Sequence, residues 1–453
     1  MQIHLPSNRA RTSNPRPAST SWLQSPPTKI DIVTRSSIDR RSFLEAGLGI
    51  SASLLGLNSV ACAKEKESVP LPPVRTITKG PKHHWFGYYD KLEFDPTDHY
   101  VLGMQVDFEH RQPTPAEEIT IGMVDLQDGD RWIDLGRSKA WCWQQGCMLQ
   151  WIPGSQSEVI WNDRDGDQFV SRILDVKNQK LRTVPSPIYC LTRDGKHGLS
   201  VNFSRLNDVR PGYGYVGPAD PNASDLRSAN TGVERIDLAT GDKQMLFSVA
   251  DIASRGPALV TMKDAKHYFI HLLANPVADR FIFLHRWIGP QGSGTRMFTA
   301  DLDGKDIRLI DANGFTSHFI WRDANHILAF SRQKSHDTRF YVFEDADHGT
   351  IEPVGPNKMT GDGHATYLPN TDWILCDTYP QGSERMQNPY LYHVPTNRRI
   401  SLGLFHSPPA YTEAWRCDNH PRASRDGKLV VIDAPEARSG RQLHLIDIGQ
   451  IAG

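Results

Sequence analysis

Four times in the second half of this chain a histidine stands nine or ten residues ahead of a hydrophobic strand: His271 before Phe281, His318 before Ile327, His364 before Trp373 and His420 before Val430. The histidines are 47, 46 and 56 residues apart, and between each histidine and its strand lies a polar turn such as the Pro-Asn-Thr-Asp of GDGHATYLPNTDWILCDTYP. A repeat of about 40 to 50 residues built from short strands and tight turns is one sheet that cannot bury its faces alone, the unit of a β-propeller. The expected fold is therefore all-β, a seven-bladed β-propeller.

The same punctuation by Gly, Pro, Asn and Asp divides the rest of the chain. Blades are expected at residues 83–138, 141–186, 188–249, 267–313, 316–357, 361–409 and 418–450. The strand 74–78 should complete the last blade and close the ring. Blade 2 spells out its strands as CMLQWI, EVIWND, FVSRILDV and KLRTV. Blade 3 carries an insertion, RLNDVRPGYGYVGPADPNASDLRSANTG, between its second and third strands, and long loops on a rigid scaffold are where ligand contacts gather. No stretch keeps a 3.6-residue period long enough for a helical domain.

Residues 1–63 are expected to be a disordered leader and twin-arginine signal peptide, leaving 64–453 as the propeller. Arg40-Arg41 precede Phe43-Leu44, a modest apolar run over 46–57, and Ala61-Cys62-Ala63 as a small-residue cleavage site. The run is too short to span a membrane. Export to the periplasm or the medium follows; lipid anchoring through Cys62 ranks second because Ser59 is a poor residue three positions before it. Five cysteines then remain, an odd number, so buried unpaired thiols are expected. With 51 Lys+Arg against 52 Asp+Glu there is no electrostatic case for a nucleic-acid partner.

First strands line a propeller's channel, so the four histidines should meet at one mouth. His271, His318, His364 and His420 together would suit a divalent metal, manganese or zinc; the plainer alternative is that each bonds its own blade. A second cluster comes from blades 1 to 3. HHWFGYYDK brings His83, His84, Tyr88, Tyr89, Asp90 and Lys91; blade 2 brings Gln144, Gln145 and Asn162; blade 3 brings Tyr189, Arg205, Arg210, Tyr213 and Tyr215. A phenol beside a guanidinium can act as base and then acid because the cation lowers its pKa. Tyr189, opening a first strand, and Arg205, ending a second, are the expected pair. The alternative for RPGYGY is a packed loop with an arginine over an aromatic ring.

The units HATYLPNTDWILCDTYP and HPRASRDGKLVVID resemble those of the oligogalacturonate lyases, and the whole mature chain is similar to the seven-bladed lyases of uronic-acid polysaccharides, ulvan lyases included. That resemblance implies β-elimination on an acidic polysaccharide or oligosaccharide; the chain is expected to be a monomer. It implies a metal at the four histidines, and Tyr189 with Arg205 beside histidines such as His84 as the proton-transfer group. Substrate contacts are expected at His83, Gln144, Gln145, Asn162, Arg210, Tyr213 and Tyr215. Blade 2 offers glutamines where the pattern has histidine; they can bind a carboxylate but exchange no proton. Two other classes remain open: a glycoside hydrolase using Asp90, Asp362 or Glu413, and a binding propeller without chemistry.

Overall fold

A computed structural model describes residues 70–334 and 337–452. They form seven four-stranded antiparallel sheets, in five of which the strands follow one another directly in sequence, and a two-stranded ribbon of Met386–Gln387 with Phe405–His406. Residues 1–63, where a leader and twin-arginine signal are expected, lie outside the described residues. Blade 1 comprises His83–Trp85, Tyr100–Val106, Ile119–Asp125 and Arg131–Ser138, and blades 2 to 6 follow at the places the repeat predicts. Blade 7 takes Arg422–Ala423, Leu429–Glu436 and Gly440–Asp447 from the end of the chain and its outer strand, Val74–Thr76, from the beginning. That strand runs antiparallel to Gly440–Asp447, with Val74 opposite Ile446 and Thr76 opposite His444.

The middle strands alternate inward and outward and pack blade against blade. Phe281, Phe283 and Leu284 in blade 4 are fully buried, as are Ile327 and Leu328 in blade 5. Truncating one of these, Leu284→Ala for example, costs about 2–5 kcal/mol through lost burial and the cavity left behind. Trp85, Trp141 and Trp143 form a three-indole cluster between blades 1 and 2 with ring centroids 5.2 to 5.6 Å apart. Cys142, Cys147, Cys190, Cys376 and Cys417 are free and buried, and burial pushes the thiols of Cys142 and Cys190 up to about 12. Among the described residues no helix is long and apolar enough to cross a membrane.

The first strands are shorter than the pattern suggests. Blade 2 pairs only over Gln150–Trp151, because the backbone before it turns into the left-handed region at Gly146 and Met148. In blades 4 and 5 the pairing slips between Ile270 and Leu273 and between Thr316 and Phe319. Each is a bulge, which re-aims the residue it carries. These carry His271 and His318.

The blade 3 insertion lies where expected, between His197–Ser200 and Gly232–Asp237, and it holds a short helix, Phe203–Val209, that no strand pattern announced. Its N-cap Asn202 accepts from the Arg205 amide at 2.9 Å, so the turn is nucleated locally.

Candidate functional site at the histidine mouth

The four histidines converge. Ring centroids lie 6.2 Å apart for His271 and His318, 4.3 Å for His318 and His364, and 4.2 Å for His364 and His420. Tyr88 completes the circuit, 5.6 Å from His420 and stacked at 5.2 Å on His271. Tyr89 sits 5.8 Å from His318 and 5.4 Å from His364. Blade 2 adds Gln145, whose Nε2 donates to the Tyr189 hydroxyl of blade 3 at 2.6 Å and lies 3.4 Å from His271 Nδ1. Every blade therefore places a polar side chain on the axis. His271 and His420 reach it with φ of 57° and 43°, a left-handed conformation that costs a non-glycine residue about 1–3 kcal/mol and that functional sites commonly store.

Carboxylates behind the rings fix their orientation. Asp377 accepts from His364 Nδ1 at 3.0 Å and from the His364 and His420 amides at 2.7 and 3.1 Å. Asp362 takes His318 Nδ1 at 3.0 Å and Ser317 Oγ at 2.7 Å. With Nδ1 held in this way His364 turns Nε2 forward, and Nε2 of both His364 and His420 is buried with no hydrogen-bond partner. One carboxylate joins them: donor atoms of His364, His420 and Asp418 all lie within 4.8 Å of one another. Two unpartnered imidazole nitrogens beside a carboxylate, oriented by a second carboxylate, fit a divalent cation. Burial first, then the neighbouring His364 and Arg422, hold His420 well below the usual imidazole range and so in its ligating form. His271 stands apart from this set, its Nδ1 hydrogen-bonded to the Tyr88 hydroxyl and its ring kept neutral chiefly by burial. Asp418 and Asp377 escaped the sequence reasoning, although the first stands two residues before His420 and the second opens the DTYP that closes the repeat.

A phenol held by arginines is present, but it is Tyr213. Arg416 donates Nη2 to its hydroxyl at 2.7 Å, and the Arg210 guanidinium lies 4.2 Å from its ring centre. Burial alone would raise this phenol; the charges of Arg416 and Arg210 outweigh it and bring the pKa down to about 8. The ring is 6.0 Å from that of His271. Arg416 also gives Nε to Asp418 at 2.7 Å, so one guanidinium bridges the phenol and the candidate metal ligand. Tyr189, by contrast, is pushed well above the usual tyrosine range by burial and then by Asp90.

The structure does not bring Arg205 to Tyr189. Arg205 is 1% exposed, and its five N–H groups go to the carbonyls of His267, Asn222, Asp225 and Leu226 and to Asp220, which tie the insertion down. Nothing is left for a substrate. His84 is also elsewhere: its nitrogens meet Gln442 at 2.9 Å and Gln105 at 2.8 Å, and burial lowers it to about 4. His83 pairs with Glu109 at 3.0 Å. Asn162 is saturated by Ile188, Tyr215 and Ser171, and Tyr215 stacks on Phe203 at 4.3 Å, so both are joints between blades 2 and 3. Gln144 pins a strap over the mouth, donating to the carbonyls of Ala414 and Arg416 at 3.0 Å while its amide bonds Gly212. Gly212 has φ of 93°, and a Cβ there would meet that of Ala414 at 2.7 Å, so only glycine lets the two loops close. The three hydrolase candidates are in separate settings: Asp362 on His318, Asp90 on Lys91 at 2.9 Å, and Glu413 exposed in the strap.

The fold is similar to that of an oligogalacturonate lyase in complex with manganese, with a TM-score of 0.60 and 15% identity over 83% of this chain and 93% of that one. It is similar to an oligogalacturonate lyase from Vibrio parahaemolyticus at a TM-score of 0.59 and 13% identity, over 84% and 94% of the two chains. At these identities the likeness is one of fold. No protein-family profile matches the sequence, and no curated protein matches it.

Proposed function

We propose that this protein is an exported polysaccharide lyase that cleaves a 4-linked uronic acid in an acidic polysaccharide or oligosaccharide by β-elimination at the histidine mouth. The observation that carries the proposal is the chain of contacts from Tyr213 through Arg416 to Asp418, beside two unpartnered imidazole nitrogens. Elimination needs the C6 carboxylate neutralised, the C5 proton removed and the leaving oxygen protonated.

His364, His420 and Asp418 would hold a divalent cation such as manganese or zinc, which supplies positive charge for a uronate carboxylate. Arg210 and Arg416 add two fixed cations on the same side, where charge develops in the transition state. Tyr213, ionised at mildly alkaline pH, takes the proton from C5; the C–H electron pair forms the C4–C5 double bond as the C4–O4 bond breaks. The same phenol then returns its proton to the departing O4, so one group serves as base and acid. Tyr88 and Tyr189, both held well above the usual tyrosine range by burial, keep their protons and orient neutral His271. Tyr213 is 4% exposed, so substrate enters when the strap carrying Arg416 lifts.

The test is incubation with pectic, ulvan, alginate and glucuronan substrates with and without added manganese. Product absorbing in the ultraviolet, absent with Tyr213→Phe, is expected. Reducing sugar without ultraviolet absorbance would make the protein a hydrolase; binding without turnover would make it a glycan-binding propeller.

A further inference from the structure

The opposite mouth of the ring holds a chamber that this chemistry leaves unused. It encloses about 1260 Å³ and is lined where the first strands end and turn back, by Trp321, Tyr367 and Arg425 among others. Tyr89 lies between the chamber and the histidines: it lines the former, packs on His318 and His364, and is bonded across the axis, donating to the Phe319 carbonyl at 2.8 Å and accepting its amide at 3.0 Å.

The chamber wall carries five cations and five carboxylates, and among the described residues two of the cations, Arg193 and Arg425, have donors to spare. Lys91 is paired with Asp90 at 2.9 Å. Arg425 gives Nε and Nη2 to the Phe94 carbonyl at 3.2 and 3.0 Å, and Nη1 has no partner among the described residues. Asp98 accepts the backbone amides of Arg425 and Asp426. Arg193 makes no hydrogen bond or ion pair among the described residues. Of the two other arginines of the wall, Arg422 is taken up by Glu93 and Asp433 and Arg322 by Asp323. Burial and the charge of Arg193 together hold Arg425 below the usual arginine range. Two guanidinium groups facing one chamber repel unless an anion lies between them, and the planar fork of arginine matches the paired oxygens of a carboxylate or phosphate.

We propose that this chamber is a second ligand site, for a small molecule carrying a carboxylate or phosphate group. Arg193 and the free edge of Arg425 take its oxygens, and the Trp321 and Tyr367 wall receives its carbon skeleton. The volume exceeds the roughly 300–1,000 Å³ of ordinary small-molecule pockets, enough for a ligand of more than one ring. The site stands independently of the lyase proposal.

Calorimetric titration of the full chain after chelator treatment tests it, with glucuronate, glucose 1-phosphate, inorganic phosphate and uncharged glucose as probes. One anion site per chain and no binding of glucose are expected. Affinity should fall at least tenfold in Arg193→Ala, fall less in Arg193→Lys, and stay unchanged in His364→Ala. Arg193 is exposed and unbonded among the described residues, so its loss should leave the fold intact, which a melting curve checks. Glucuronate binding more tightly than the phosphates assigns the ligand to acidic sugars; the reverse assigns it to phosphate esters. Binding of no anion overturns the proposal, as does anion binding that survives Arg193→Ala and disappears in His364→Ala.

Discussion

Arg416 holds the hydroxyl of Tyr213 at 2.7 Å with one nitrogen and a carboxylate oxygen of Asp418 at 2.7 Å with another. A single side chain thus ties the one phenol in the mouth with a depressed pKa to the candidate metal ligands, and it is 25% exposed in the strap that covers them. The first prediction comes from that link. Tyr213 acts as a base only when ionised, so kcat/KM should rise with pH through a midpoint near 8. Tyr213→Phe should lower kcat about 10²–10⁴-fold. Arg416→Met removes the larger of the two lowering charges, and the rising limb should move to higher pH. A limb that stays in place after that substitution would show that another group sets it.

Asp377 fixes the tautomer of His364 and leaves its Nε2 free. Asp377→Asn should weaken manganese or zinc binding about 10–100-fold, measured by competition with a chromophoric chelator. Because a bound ion stabilises the folded chain by mass action, chelator should lower the melting temperature of the wild type and leave that of a His364→Ala/His420→Ala double variant unmoved.

Arg205 acts on stability. Arg205→Ala strands Asp220, which is 4% exposed and 3.2 Å from the guanidinium, and the loss of a buried charge partner costs roughly 3–5 kcal/mol. A large drop in melting temperature is expected, with no rescue by Arg205→Lys, since an ammonium cannot supply five donors. Normal stability with lost turnover would return Arg205 to the site.

Glu93 and Asp433 share one cation, Arg422. Burial, only partly offset by Arg422 and reinforced by Asp433, pushes Glu93 up to about 8. The folded chain then holds a proton that the unfolded chain releases near 4.3. Between about pH 4.5 and 8 the unfolded state binds fewer protons, so stability should decline by up to a few kcal/mol over that window and level off above it. Glu93→Gln should flatten the decline. Chemical denaturation at a series of pH values reads both.

The architecture was legible because its period is long and its turns carry their own chemistry: His364 before Trp373 marks a blade whether or not the blade is seen. Convergence of the four histidines followed from that period alone. The acid–base pair was harder to see. The rule that a guanidinium lowers a phenol was sound, but the sequence places Arg205 and Tyr189 sixteen positions apart on neighbouring strands while Arg416 and Tyr213 meet across the axis from different blades. Nor does a sequence announce that an arginine is already saturated. His84, which lies next to His83 and four residues from Tyr88, looked like a member of the mouth; the pleat sends it the other way, to Gln442 and Gln105.

The pairing of Val74 with Ile446 closes the ring with the first described strand and the last. Contacts so distant in sequence are slow to form, and the sheet they finish begins two residues after His420 and four after Asp418. A ribosome must therefore release nearly the whole polypeptide before the blade next to His420 and Asp418 can close and hold them in place.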